Sequence, residues 1–428
     1  MSTNFQGAAT DANRGGDGLA DFDRRLDSSE FEQNPYPLYH QLRAEAPVYW
    51  SETWRCWILT RYDDIQTTLR DHRRFSSLGR WTTAMQPDLP AALWEQIQPL
   101  VGHYNEGLVN IDPPDHTRLR TLMQQAFTPR TVGRMADPIG QIVDELLDRA
   151  LGNGCLELVG DLAYPLPVTV IAELLGVPID DHQQLRAWSS ATLEFMTTPR
   201  PSRATLLRSQ EAMLALREVF RRLYVERRQH PDDSLVSALL AAEEEGDRLS
   251  EEELLSTCVT LLVAGHETTT SLISSTVYLL LKHPDQLQKL RENPALIESA
   301  VEESLRYEGS FQRSRRVATE DVILGGQQIR QGQLVLQFLG AANRDPAHFP
   351  DPDRFDIERQ PNRHLSFGFG VHICLGAALA RLEAKIAIST ILRRMPNLQL
   401  AADAVEWENT LLRGLKALPL TYSDSVAG

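Results

Sequence analysis

The chain has 428 residues, and 42% of them are hydrophobic, which is ample for a large buried core. A net charge of −15 at pH 7 argues against nucleic acid or an anionic membrane as the main partner, because both attract basic surfaces. The four cysteines, Cys56, Cys155, Cys258 and Cys374, are far apart and form no C-x-x-C pair, which argues against a disulfide framework or a zinc knuckle and favours the cytoplasm.

The order of elements along the chain predicts one mainly helical domain. Residues 1–18 are polar and glycine-rich, so they are predicted to form a disordered tail, and nothing divides 19–428 into further domains. Aromatic and β-branched residues predict strands within 47–50, 56–59 and 317–339. Apolar spacing predicts helices over 138–151, 168–175, 205–229, 250–282, 295–307 and 375–394. The predicted fold is therefore mainly α with a minor β portion.

The segment 254–281 is long enough to suggest a membrane span. His266, Glu267 and three consecutive threonines lie near its middle, where a bilayer disfavours them, so a central helix of a large protein is the better interpretation. Ser250 and Glu253 predict a capping box at its start. Asp112 is predicted to cap another helix, on which His116 and Arg120 share a face.

The most informative segment is HLSFGFGVHICLGAALARLEAKIAI, in which a glycine-rich loop leads a cysteine to the start of a predicted helix. The glycines permit tight turns and close approach of the backbone to a flat ligand, and the helix N-terminus favours a thiolate. A lone cysteine is more often an ordinary buried thiol. The pattern F-G-x-G-x-H-x-C-x-G, however, resembles the haem-ligand motif of the cytochrome P450 family, and it is filled here by Phe367, Gly368, Gly370, His372, Cys374 and Gly376.

A second motif, AGHETT, lies in the middle of the long predicted helix. It does not complete the zinc-protease motif H-E-x-x-H, because Thr270 stands where the second histidine would be. It resembles the P450 pattern A-G-x-[D/E]-T-[T/S], filled by Ala264, Gly265, Glu267, Thr268 and Thr269. Ala264 and Gly265 would let the helix lie close over the haem, with a local bend making room for dioxygen. The resemblance implies that Thr268 hydrogen-bonds the oxygen under activation and that Glu267 relays protons; the alternative is a threonine bonded to its own helix and a glutamate in an ion pair.

Further residues match the same family. Glu303 and Arg306 fit its E-x-x-R motif, and together with Arg354 they resemble its buried Glu-Arg-Arg set, for which we expect a structural role. The resemblance assigns the haem propionates to four groups: His116, Arg120, Arg316 and His372. Arg313 or Arg315 would replace Arg316 if the register of FQRSRRVA were shifted. His364 is interpreted as a structural hydrogen-bonding residue.

The resemblance runs from about Asn34 to Pro419 and implies a single-domain cytochrome P450 fold, with the long helix over a haem b that Cys374 ligates. It implies a monooxygenase that inserts one oxygen atom of O2 into a C–H bond, by hydroxylation or epoxidation. The expected substrate is a medium-sized apolar molecule of secondary metabolism, such as a terpenoid, steroid, fatty acyl chain or polyketide. Electrons would come from a ferredoxin or flavodoxin with its reductase, docked near Cys374, with Arg118, Arg381 and Lys385 as candidate contacts.

The substrate wall is predicted from segments 74–110 and 190–210 and from later single residues. The candidate lining residues are Trp81, Met85, Trp94, Val263, Ala264, Phe311, Leu411 and Leu412. The tryptophans and Met85 are equally consistent with ordinary core packing. The sequence Gly309-Ser310-Phe311 departs from the family, which often has prolines there. Other interpretations are a haem-thiolate peroxygenase, an oxidative coupling or rearrangement enzyme, and a non-catalytic haem sensor.

Overall fold

The structure of the protein is a computed structural model, which describes residues 18–85, 88–152, 154–178, 182–198, 201–242, 246–402, 404–409 and 412–423. The predicted tail, residues 1–18, lies outside these ranges except for Gly18, at which the first helix begins.

Helices dominate the described chain. They are α1 (Gly18–Leu26), α2 (Ser29–Gln33), α3 (Tyr36–Glu45), α4 (Tyr62–Arg70), α5 (Arg80–Met85), α6 (Ala91–Gln96), α7 (Gln98–Glu106), α8 (Asp115–Ala126), α9 (Pro129–Gly133), α10 (Ala136–Ala150), α11 (Pro165–Leu175), α12 (His182–Thr197), α13 (Arg203–Gln229), α14 (Leu235–Ala241), α15 (Glu251–Lys282), α16 (Pro284–Glu292), α17 (Ile297–Tyr307), α18 (Leu339–Ala342) and α19 (Ala377–Arg394).

The strands are short and form four small sheets in the described chain. They are β1 (Val48–Ser51), β2 (Cys56–Leu59), β3 (Phe75–Ser76), β4 (Cys155–Glu157), β5 (Arg313–Ala318), β6 (Val322–Leu324), β7 (Gln327–Ile329), β8 (Leu334–Phe338), β9 (Gln399–Leu400), β10 (Trp407–Asn409), β11 (Arg413–Leu415) and β12 (Pro419–Thr421). The largest sheet has the order β1-β2-β8-β5-β3, in which only β2 and β8 are parallel. The predicted mainly α fold with a minor β portion is confirmed.

Helix α15 is the centre of the molecule. It packs against α11, α13, α17 and α19, and its residues Cys258, Val259 and Leu262 are fully buried in the main hydrophobic core. The predicted capping box is present: the Ser250 side chain accepts from the Glu253 N–H, and the Glu253 side chain accepts from the Ser250 N–H. Along its whole length α15 is one continuous α-helix. None of the helices that the structure describes combines the length and apolar character needed to cross a bilayer.

The six helices predicted from apolar spacing all form, with ends within three residues of the predicted bounds. The predicted cap of α8 is wrong, because Pro114 is the N-cap residue and it makes no side-chain capping bond. The Asp112 carboxylate accepts instead from the Ser77 N–H at 3.0 Å and from the Ser76 hydroxyl. A tertiary contact has therefore taken the side chain that local sequence assigned to the helix end.

Candidate functional site

A large cavity lies where α15 meets the loop that precedes α19. Its lining includes Val263, Ala264, Gly265 and Thr268 from α15, and Phe367, Gly368, His372 and Cys374 from the loop. Apolar residues from other elements complete the wall: Ile171, Leu193, Phe311 and Leu412. The two most informative sequence motifs therefore meet at one mostly apolar cavity.

Cys374 is the only one of the four cysteines, all of them described, that lines this cavity. Burial raises the pKa of its thiol, whereas the N–H groups of Gly376 and Ala377 and the charges of Arg120 and Arg381 act to lower it. Both N–H groups belong to the start of α19, where backbone donors lack helical partners. Cys374 is thus exposed to the cavity that it lines, and its sulfur has donors suited to a thiolate.

The loop of residues 366–376, called the cysteine loop, passes so close to α4 that a side chain at one of its glycines would clash with that helix. Gly370 has φ +75°, and a Cβ there would lie 2.8 Å from the Leu69 carbonyl oxygen. Gly376 also lines the cavity, and no atom of the described residues lies within 4 Å of the place a Cβ would occupy. Gly370 therefore serves the packing of the loop, whereas Gly376 leaves space beside Cys374.

The AGHETT turn of α15 presents small residues and a hydroxyl to the cavity. Ala264 and Gly265 line it, and a Cβ on Gly265 would meet only Ile171, at 3.9 Å. Thr268 lines it too, and its Oγ1 donates to the Ala264 carbonyl oxygen at 2.9 Å. Thr268 thus bonds to its own helix, as one interpretation predicts. It also faces the cavity, which is the position that a role in oxygen activation requires.

Glu267 is directed differently from Thr268. It is not among the described lining residues of the cavity, and no described cation forms an ion pair with it. Burial and the charges of Glu408 and Glu194 raise its pKa to about 7, while the Ser190 hydroxyl acts to lower it. The carboxyl group is therefore a proton-exchanging group near neutral pH, placed on the α12 side of α15.

One edge of the cavity is lined by histidine and arginine side chains. His116 is 2% exposed, and neither of its ring nitrogens has a hydrogen-bond partner among the described residues. Its ring lies 4.3 Å from that of His372, whose Nε2 is 3.1 Å from the Ser77 hydroxyl and 3.8 Å from Asp112. Buried polar groups are rarely left unpaired in proteins, so His116 indicates a polar group of a bound molecule.

The alternation of side chains along β5 determines which of its arginines faces the cavity. Arg316 lines the cavity, whereas Arg313 packs on Phe31, Trp54 and Phe338, and Arg315 packs 4.4 Å from the Trp81 ring. Alternation along the strand places 314 and 316 on one face and 313 and 315 on the other. The register assumed for Arg316 is therefore the one that the structure has.

Arg80, on α5, is a cavity-lining cation that sequence reasoning missed. Its Nε donates to the Asn110 side chain at 2.8 Å, and burial together with Arg316 and Arg315 lowers its pKa well below the usual range. The guanidiniums of the half-buried Arg80 and the buried Arg316 outnumber the one nearby carboxylate, Asp112, and this excess of positive charge suits an anionic ligand. No motif surrounds Arg80 in the sequence, and its only signal is that it is a cation within the predicted wall segment 74–110.

A model of the cytochrome P450 family matches residues 96–398. The chain belongs to the cytochrome P450 family. It is 44% identical over 400 residues to the biotin biosynthesis cytochrome P450 of Bacillus subtilis (strain 168), an alignment that covers 92% of this chain and 98% of the relative. As a member of this family, the protein is a haem monooxygenase.

Solved P450 structures share the fold. The crystal structure of P450BioI in complex with hexadec-9Z-enoic acid ligated acyl carrier protein matches with a TM-score of 0.85 at 44% identity, over 92% of this chain and all of that one. A myxobacterial cytochrome P450 in complex with myristic acid matches with a TM-score of 0.83 at 41% identity, over 94% and 99% of the two chains.

The P450 cofactor is haem b held by a cysteine thiolate, and the cavity of this P450 fits it. The sulfur of Cys374 faces the cavity, Gly265 and Gly376 leave room for a flat macrocycle, and the unpartnered His116 lies at the edge that carries Arg80 and Arg316. Two propionates would supply the anionic charge and the hydrogen-bond acceptors that this edge lacks. Arg120 also lines the cavity, and its charge acts on Cys374.

The buried glutamate network of this P450 differs from the predicted trio. Arg306 makes two 2.8 Å bonds to Glu303, as expected. The second guanidinium is that of Arg359, at 3.1 Å, and Asn362 adds a further donor at 3.1 Å. The assignment of Arg354 is wrong: its side chain is 61% exposed, whereas its carbonyl oxygen accepts from both arginines. The turn uses the backbone of residue 354 and directs its side chain to solvent.

The substrate wall of this P450 also differs from the prediction in part. Val263 and Phe311 line the cavity. Trp81 and Met85 are buried in a separate cluster with Tyr104 and Phe195, and Trp94 packs against that cluster, so none of the three is a described lining residue. Leu411 lies outside the described residues, and the neighbouring Leu412 lines the cavity. His364, 3% exposed, is 3.2 Å from Glu302, in keeping with a structural role.

Proposed function

We propose that this P450 inserts one oxygen atom of O2 into a C–H bond of a medium-sized apolar molecule, by hydroxylation or epoxidation. The observation that carries the proposal is that Cys374, the Ala264-Gly265 step and Thr268 line one apolar cavity with a cationic edge. The cysteine is suited to ligating iron, the small residues to admitting a macrocycle, and the edge residues to binding its propionates.

The roles of the individual residues follow from where they lie. Haem, when bound through Cys374, supplies the activation of dioxygen. The Thr268 hydroxyl faces the cavity and can hydrogen-bond oxygen there, and Glu267 exchanges protons near neutral pH on the other side of the same turn. This combination favours use of O2 over direct use of peroxide, because a peroxygenase has less need of proton delivery.

The substrate is proposed to be a long apolar chain. Ile171, Leu193, Val263, Phe311 and Leu412 give the cavity a wall without charged groups on that side. The two solved relatives described above are complexes with a hexadecenoyl group on acyl carrier protein and with myristic acid. Myristic acid is therefore the first ligand to test, by its effect on the Soret band and by product analysis.

Electrons are proposed to come from a separate ferredoxin or flavodoxin that docks on the Cys374 side. The structure shows that each of the three candidate contact cations has an acidic neighbour. Arg118 pairs with Asp247 and Glu253, Arg381 with Glu302, and Lys385 with Glu298. Docking would therefore exchange these pairs for contacts to the partner, which makes electron transfer sensitive to salt.

The test is the absorption spectrum of the haem-loaded protein, reduced and exposed to carbon monoxide. We expect a strongly red-shifted Soret band that Cys374→Ser abolishes, because thiolate ligation causes the shift. Cys155→Ser is the matched control, since Cys155 lies on β4, is not among the described lining residues of the cavity, and should leave the band unchanged. A normal band in folded Cys374→Ser protein, or none in folded wild type, would overturn the assignment.

A further inference from the structure

The segment that follows α17 packs between three parts of the active site. At Gly309, a Cβ would lie 2.6 Å from the Leu305 carbonyl oxygen and 2.8 Å from the hydroxyl of Ser366, the residue before Phe367 in the cysteine loop. Only glycine allows this approach. The backbone one residue later is fixed by the Arg413 N–H, which donates to the Ser310 carbonyl oxygen at 2.7 Å.

Arg413 itself is held firmly. It is 2% exposed, forms an ion pair with Glu308, and donates to the carbonyl oxygens of Glu32 and Gln33 at 3.0 and 2.9 Å. Beside it, Phe311 pairs with Leu412 in an isolated antiparallel bridge. The backbone of residues 308–311 is therefore anchored to β11 on one side and to the cysteine loop on the other.

From this anchored segment, the Ser310 hydroxyl donates to the carbonyl oxygen of Thr268 at 2.8 Å. In an α-helix that oxygen already accepts from the N–H four residues later, so Ser310 is a second donor, which the two lone pairs allow. Ser310 is 6% exposed and lines the cavity next to Phe311. Ser310 thus links the cavity wall to the turn of α15 that carries Thr268.

We propose that Ser310 is a positioning residue that fixes the Thr268 turn at the cavity, and so governs how long the haem-loaded, reduced protein would hold O2 before losing it, either as O2 or, with one electron from the iron, as superoxide. The proposal rests on the proposed function, because it assigns Ser310 a part in oxygen activation. A proline, which the family often has in this segment, has no hydroxyl and leaves the Thr268 carbonyl without this donor.

The single hydrogen bond from the Ser310 hydroxyl restrains more of α15 than the carbonyl oxygen that accepts it. Ala264, Gly265 and Thr268 lie on one stretch of helix, and the Thr268 side chain is bonded to Ala264 at 2.9 Å. A donor that holds the Thr268 carbonyl therefore holds the whole stretch relative to the cysteine loop. Displacements well below 1 Å change the hydrogen bonds that an active site makes to its reacting atoms.

The experiment compares wild type with Ser310→Ala, and uses Ser310→Thr as the control that keeps a hydroxyl. Two readouts are independent of the natural substrate and of the redox partner. The first is amide hydrogen exchange in peptides from the middle of α15. The second is the lifetime of the oxygenated protein after stopped-flow mixing of dithionite-reduced enzyme with O2, followed at the Soret band.

We expect Ser310→Ala to keep its haem and its red-shifted carbon monoxide band, to exchange amides near Thr268 faster, and to lose oxygen several-fold faster. Ser310→Thr should restore both values to near those of wild type. In a Thr268→Ala background, Ser310→Ala should add little to the loss of lifetime, because both changes act on the same turn.

An unchanged lifetime in Ser310→Ala would refute the positioning role, whatever the amide exchange shows, and so would fully additive effects in the double variant. If Ser310→Ala fails to retain haem, the Ser310→Thr protein provides the test. A wild-type lifetime of the oxygenated Ser310→Thr protein supports the role of the hydroxyl, and a several-fold shorter one refutes it. A wild type without the carbon monoxide band would instead refute the proposed function itself, and the role of Ser310 with it.

Discussion

At the scale of residues, two glutamates of the same protein have opposite surroundings. Glu303 is fully buried and accepts hydrogen bonds from Arg306, Arg359 and Asn362, so its charge is compensated on every side. Burial, together with the nearby charges of Glu408 and Glu194, raises the pKa of Glu267 to about 7, and no described cation forms an ion pair with it. Glu303 therefore joins three side-chain donors, whereas the pKa of Glu267 is one at which its carboxyl group can carry a proton near neutral pH.

This environment predicts the pH dependence of turnover. Since the acid form of Glu267 predominates below its pKa of about 7, product formed per electron pair should fall as pH rises through that value. Glu408→Gln removes a charge that raises the pKa of Glu267, so the midpoint should move to lower pH. Glu267→Gln should lower the rate by about 10²-fold and abolish the midpoint.

The measurement is the ratio of product to NADH consumed, recorded against pH with myristic acid and a ferredoxin with its reductase. Glu406→Gln is the matched control, because Glu406 lies two residues from Glu408 and pairs with Lys416. An identical midpoint in Glu408→Gln and wild type would show that this carboxylate does not act on Glu267.

At the scale of elements, the Glu303 network joins α17 to the turns of residues 343–362. Arg306 bonds to the carbonyl oxygens of Asn343 and Pro352 at 2.9 and 2.8 Å, and Arg359 to that of Pro350 at 2.7 Å. These turns have little regular structure of their own, so buried guanidiniums supply the donors that their carbonyl oxygens need. The segment just ahead of the cysteine loop is thereby fixed to a helix.

The network predicts different effects for two nearby arginines. Arg359→Ala leaves buried Glu303 with one guanidinium, and we expect a loss of about 3 kcal/mol in the free energy of unfolding. Arg354→Ala removes only an exposed side chain and keeps the carbonyl oxygen that the network uses, so its effect should stay within about 0.5 kcal/mol. Denaturant unfolding of the haem-loaded variants measures both, and equal losses would contradict the observed arrangement.

The error at Arg354 shows what sequence can and cannot specify. Periodic apolar residues predicted the helices, since each helix must bury a face, and the dense motifs around Cys374 and Thr268 predicted which segments meet at the cavity. A motif does not specify which side chain a turn directs inward: FPDPDRF indicates Arg354, whereas the structure directs Arg359 inward. Arg80 had no motif at all, because only the fold brings it to the cavity edge.

At the scale of the whole molecule, two arginines line one edge of the cavity in a strongly acidic protein. The net charge is −15, yet the half-buried Arg80 and the buried Arg316 lie together at one edge of the cavity. On the outer side of α19, Arg381 and Lys385 are neutralised by Glu302 and Glu298. The charge at the cavity edge suits a bound anion, whereas these two cations of α19 are already paired with glutamates.

This distribution leads to a prediction about reduction by the partner. Lys385→Glu would place a second negative charge beside Glu298, so the rate of reduction by a ferredoxin should fall several-fold at low salt and approach the wild-type rate at high salt. Glu298→Gln is the complementary variant: it frees Lys385 from its pair and should hold or raise the rate. Stopped-flow reduction under carbon monoxide measures the rate directly, and a Lys385→Glu protein as fast as wild type at low salt would place the docking surface away from α19.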